Sequence, residues 1–128
     1  MKLGLQITLG IFSLIPLAFA VLGLLQGTGY HVAPEEIVAA VDIQYRYMSG
    51  VYILVTFLIW YAIPKIEEHG RLMMMVCAAL VLGAIGRLIS HMTIGPGSDE
   101  EFAGMIIEFC TPIFVLWQMA VARKAKAA

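Results

Sequence analysis

The chain has 128 residues, of which 61% are hydrophobic and 13% charged, and its formal net charge is −1. Soluble domains run at about 45–50% apolar and about 25% charged residues, so a mean hydropathy of +0.89 excludes an ordinary soluble fold. Eight basic residues spread along the chain form no patch for nucleic acid, and two cysteines without a Cys-x-x-Cys spacing exclude a disulfide framework or zinc site.

A membrane-spanning helix needs about 20 mostly apolar residues, because the hydrocarbon core is about 30 Å thick and the helix rises about 1.5 Å per residue. Four segments qualify: Leu3–Leu25, about Ile43–Ile63, Leu72–His91 and about Phe102–Ala122. The backbone must satisfy its own hydrogen bonds in lipid, so each segment reads as a helix and the chain as one all-α, four-helix membrane domain over residues 1–128.

In the first span, Lys2, the apolar run and Ala18-Phe19-Ala20 resemble a cleavable signal peptide. The run continues through Val21–Leu25, so it is read as a retained span, bent at Pro16. A loop opens at Gln26-Gly27-Thr28-Gly29. The stretch Ala33–Val41, with Pro34 at a helix start and Glu35 and Glu36 behind it, reads as a short interfacial helix or as an N-terminal extension of the second span. Pro64–Gly70 separates the second and third spans, and Gly95-Pro96-Gly97-Ser98 separates the third and fourth. No strand precedes the latter, so it is a turn and not a phosphate loop.

With both termini in the cytoplasm, Lys2, Lys65, Arg71, Arg123, Lys124 and Lys126 all lie inside, and the outer loops carry no Lys or Arg. That is the positive-inside pattern. Trp60, Tyr61 and Trp117 then sit toward the inner interface, and Tyr30, Tyr45 and Tyr47 toward the outer one.

Ionisable groups inside spans are costly and face interior or functional surroundings. Here they are Arg46 at the head of the second span, Arg87 late in the third, Glu108 in the fourth, and Asp42 at the edge of the second. Arg87 stands fifteen residues, roughly 22 Å, beyond Leu72, and Glu108 stands six residues, about 9 Å, below Phe102, so both fall in the outer third. Helical spacing puts Gly83, Arg87, Ser90 and His91 on one stripe, Asp42, Arg46, Ser49 and Gly50 on another, and Glu108, Thr111, Val115 and Gln118 on a third. Facing inward, these stripes line a polar chamber that opens outward.

The chamber reads as a binding site for a small anionic or amphipathic ligand, such as a lipid, held by Arg46, Arg87, Glu108, Asp42, Ser90 and His91. Three rivals use the same residues: a proton-coupled transporter working through Glu108, an acid–base pair of Glu108 and His91 acting on a lipid, and a structural or accessory subunit with a buried salt-bridge network. No catalytic residue is assigned, and no cofactor is named. His31 and His91 lack the spacing of a metal site. Cys77 and Cys110 lie at different depths, too far apart to pair, and read as small buried apolar groups. Met73-Met74-Met75 reads as lipid-facing or packing filler. The lipid bilayer is the expected partner, and Gly- and Ala-rich helix faces suit self-association into a homo-oligomer.

The order of Arg46 with Gly50, Gly86-Arg87, Gly95-Pro96 and Glu108 resembles the DUF4345 family of small four-span bacterial membrane proteins. The resemblance implies an inner-membrane four-helix protein in the neighbourhood of the DoxX-like families. It implies no activity.

Overall fold

The computed structural model describes residues 1–128, and every regular element in it is helical. Five α-helices follow in order: α1 (Lys2–Gln26), α2 (Ala39–Ala62), α3 (Gly70–Thr93), α4 (Asp99–Cys110) and α5 (Pro112–Ala127). Short 3₁₀ turns cover Gly27–Tyr30, Pro34–Glu36 and Ile63–Lys65. Four segments are long and apolar enough to cross a membrane: Lys2–Tyr30, Ala39–Lys65, Gly70–Thr93 and Asp99–Ala127. The protein is therefore an all-α membrane protein with four spans. Large apolar side chains such as Ile11, Leu82, Ile89, Met92 and Leu116 remain exposed, as lipid-solvated surfaces require.

Contacts group the chain into two compact units. One holds Gln6–Pro64, and with it most of α1 and all of α2. The other joins Met1–Leu5 to Lys65–Ala128.

In the α1–α2 unit, Pro16 sits inside an uninterrupted α1. Buried polar groups are paired across the two helices: Trp60 Nε1 donates to Ser13 Oγ at 2.8 Å, and Thr56 Oγ1 donates to the Ser13 carbonyl at 3.3 Å. Such bonds fix register where apolar side chains slide against equally apolar lipid. The Ala33–Val41 stretch forms neither a full interfacial helix nor a long extension. One 3₁₀ turn at Pro34–Glu36 leads into extended Ile37 and Val38, and α2 starts at Ala39.

In the α3–α5 unit, the fourth span is two helices rather than one. Pro112 has no N–H, so the Glu108 carbonyl loses its usual donor four residues on. Thr111 replaces it twice, donating from Oγ1 at 2.7 Å and from its amide at 3.2 Å. Helix α5 then restarts with Pro112 in its first turn, where proline fits. Ser98 caps α4: its Oγ accepts the Glu101 amide, while the Glu101 carboxylate accepts the Ser98 amide at 2.8 Å. Of the methionine run, Met73 is core and Met74 and Met75 are exposed. Both cysteines are free, as expected, but only Cys77 is buried. Cys110 is exposed, because it ends α4 on the face turned away from the packed one.

Candidate functional site

The charged groups singled out within the spans form two close pairs, one in each unit. In the α1–α2 unit, Arg46 and Asp42 stand one turn apart on α2, with Arg46 Nε 2.7 Å from Asp42 Oδ2. The pair makes further hydrogen bonds to the turn after α1. Arg46 Nη1 donates to the carbonyls of Leu24 and Leu25 at 2.9 and 2.7 Å. These belong to the last turn of α1, whose carbonyls have no helical partner and carry the negative end of the dipole. Asp42 Oδ1 accepts the Thr28 amide at 2.7 Å and the Thr28 hydroxyl at 3.0 Å. The pair is a clasp that closes the α1–α2 turn.

Gly27 is the residue that allows this clasp. It leaves α1 at φ +60°, in the left-handed region where glycine is the usual helix terminator. A Cβ there would run into Asp42 Oδ1 and stand 2.7 Å from Arg46 Nε and Nη2. Beside the clasp, His31 Nε2 and Tyr45 Oη are 2.8 Å apart, and the His31 ring meets the Tyr30 and Tyr45 rings edge-on.

In the α3–α5 unit, Arg87 of α3 faces Glu108 of α4, with Nε 3.3 Å from Oε2. Their environments differ. The Glu108 side chain is 10% exposed, whereas the Arg87 side chain is 44% exposed. Glu108 is placed by the Thr111–Pro112 break, which ends α4 three residues later. Gly104, one turn before Glu108, leaves room for the guanidinium: a Cβ on it would stand 3.2 Å from Arg87 Nη1. Glu108 is the only polar partner the structure gives the Arg87 side chain. Of the other residues on this stripe, Ser90 is exposed and His91 stacks at a tilt on Phe102, ring centres 5.8 Å apart. His91 makes no hydrogen bond to Glu108, which leaves an acid–base pair of the two without its geometry.

At the opposite end of the α3–α5 unit, Lys2 and Gln118 make contacts that their places in the sequence do not announce. Lys2 Nζ lies 2.7 Å from Glu67 Oε1. Gln118, 2% exposed, donates Nε2 to the Ile66 carbonyl at 2.9 Å and so fastens α5 to the turn before α3. A glutamine amid apolar residues, one turn after Phe114, was visible on the fourth-span stripe, but its carbonyl partner lies 52 residues away.

The Lys2 ammonium holds the Glu67 carboxyl below its ordinary value of 4.5, with help from the backbone amide. A carboxylate depressed by folding contributes stability above its unfolded pKa and loses it as pH falls through the lower folded value. Thermal unfolding in detergent is therefore expected to show a falling midpoint between about pH 5 and pH 3. Lys2→Ala removes part of that fall. Identical profiles for the two proteins would mean that the pair is uncoupled from folding.

The fold and its charged pairs define a class, the small all-α membrane protein with four spans that carries ion pairs within them. Residues 4–119 match the family described as Domain of unknown function (DUF4345), and the chain belongs to that family. No curated protein and no solved structure matches it.

Proposed function

We propose that the protein binds a small anionic or amphipathic molecule at Arg87, in the outer part of the membrane, with Glu108 behind it and Ser90 and His91 on the same helix stripe. The observation that carries this reading is the contrast between the two arginines. The two side chains are about equally exposed, at 40% and 44%, but Arg46 donates to a carboxylate and two carbonyls, whereas Arg87 meets one carboxylate. A guanidinium presents five donors in a planar fork suited to carboxylate or phosphate. Within a span, exposed donors face lipid or a ligand, and an anion offsets the cost of leaving them there. Asp42 and Arg46 serve in this reading as the clasp that sets the α1–α2 turn. In this reading the Arg87 end faces outward and both termini lie in the cytoplasm, which the positive-inside pattern supports, and a bacterial inner membrane is the proposed location.

The test is native mass spectrometry of the detergent-purified protein with dodecyl phosphate as probe. Arg87→Met is expected to lower retention at least tenfold, in keeping with the loss of one charge-assisted hydrogen-bonded pair at about 1.5–3 kcal/mol. Equal retention by the variant removes the proposal. A second reading, proton-coupled transport, draws on the burial of Glu108 inside a span. Proton-driven uptake into liposomes that persists in Glu108→Gln would remove it.

A further inference from the structure

An open hollow with basic side chains around it lies at the other end of the α3–α5 unit, where the start of α3 meets the last turns of α5. It has a volume of about 320 Å³. Arg71 of α3 and Arg123 and Lys126 of α5 line it, the last two on one face of α5 at a three-residue spacing. None of these three cations has an ion-pair partner in the chain. Two carboxylates also line the hollow, and each has its own cation: Glu67 holds Lys2 at 2.7 Å, and Glu68 lies 3.9 Å from Lys65. The field inside is therefore positive.

Two further features match an anion that also carries donors. Helix α3 opens on the hollow with Gly70 and has no acidic residue in its first turn, so its first amides and dipole are uncompensated. Gln118 is fully committed through Nε2, and its Oε1 lies against Gly70, where a Cβ would come within 3.0 Å. Gln118 lines the hollow, and its Oε1 can accept from a hydroxyl.

We propose that this hollow binds the phosphoglycerol headgroup of an anionic phospholipid: Arg71, Arg123 and Lys126 hold the phosphate, and Gln118 Oε1 accepts a glycerol hydroxyl. The site sits where spanning helices end, which is headgroup depth. Its volume is at the low end for small-molecule pockets, about 300–1,000 Å³, and suits a headgroup whose acyl chains stay in the bilayer. Basic pockets between helices on the positive side of a membrane protein take such lipids. The Arg87 site and this one are separate, and each stands without the other.

The experiment is a native mass spectrometry titration of the full chain with phosphatidylglycerol, phosphatidylcholine and glycerol 3-phosphate. Wild type is expected to retain phosphatidylglycerol in preference to phosphatidylcholine, and to retain glycerol 3-phosphate poorly. The triple variant Arg71→Gln, Arg123→Gln, Lys126→Gln is expected to bind phosphatidylglycerol on the order of 100-fold more weakly, about fivefold for each cation. Lys124→Gln, which removes a neighbouring charge outside the hollow, keeps wild-type binding. Circular dichroism checks that the triple variant remains helical. Undiminished binding by the triple variant, or an equal loss in Lys124→Gln, overturns the site. Glycerol 3-phosphate bound as tightly as the lipid overturns the headgroup assignment.

Discussion

Gly27→Ala is expected to lower the unfolding free energy by about 3 kcal/mol. Two costs combine. A non-glycine residue at φ +60° carries backbone strain of about 1 kcal/mol. The added Cβ also meets Asp42 Oδ1 and stands 2.7 Å from Arg46 Nε, so the clasp must open. Opening it lengthens the bonds to the Leu24 and Leu25 carbonyls and the Thr28 amide, a loss equivalent to about one bond to a charged group, roughly 2 kcal/mol. Thermal unfolding of Gly27→Ala beside Gly83→Ala separates this from a general glycine effect, because nothing stands within 4 Å of a Cβ on Gly83. Gly83→Ala is expected to be neutral or stabilising, as alanine is the better helix former. A Gly27→Ala midpoint equal to wild type would mean that the α1–α2 turn does not depend on the clasp.

The second large effect concerns Arg87 and Glu108. Arg87→Met is expected to cost about 2–4 kcal/mol, because it leaves a buried carboxylate without its guanidinium. Exposure of the arginine puts the figure below that of a fully enclosed pair. Glu108→Gln in the Arg87→Met background is expected to recover part of the loss, giving a coupling of about 1–2 kcal/mol in a double-mutant cycle. A cycle that closes with no coupling would mean that the 3.3 Å approach carries no energy. The ligand proposal adds a distinct expectation: dodecyl phosphate raises the midpoint of wild type and leaves that of Arg87→Met unchanged.

The four spans were legible because hydrophobic length is a one-dimensional signal, and lipid allows few other folds. The residues Arg46, Arg87, Glu108 and Asp42 were legible as costly groups for the same reason. Their partners were only partly so. Arg46 with Asp42 follows from a four-residue spacing, but the carbonyls of Leu24 and Leu25 carry no side-chain signal. The break at Thr111 was readable from Pro112, yet mean hydropathy across Phe102–Ala122 hides it. Ser98-x-x-Glu101 likewise carries the capping-box signature in plain sequence. The basic hollow escaped because Arg71, Arg123 and Lys126 read in sequence as topology markers. Only the meeting of the α3 start with the α5 end turns those three markers into walls of one site.

The most direct test of the Arg87 proposal is a crystal structure grown from a lipidic mesophase doped with dodecyl phosphate. An ordered phosphate is expected within hydrogen-bond distance of the Arg87 guanidinium, with the Glu108 carboxylate on its far side. A guanidinium fully engaged by protein groups, or one facing ordered acyl chains while the phosphate sits elsewhere, would contradict it.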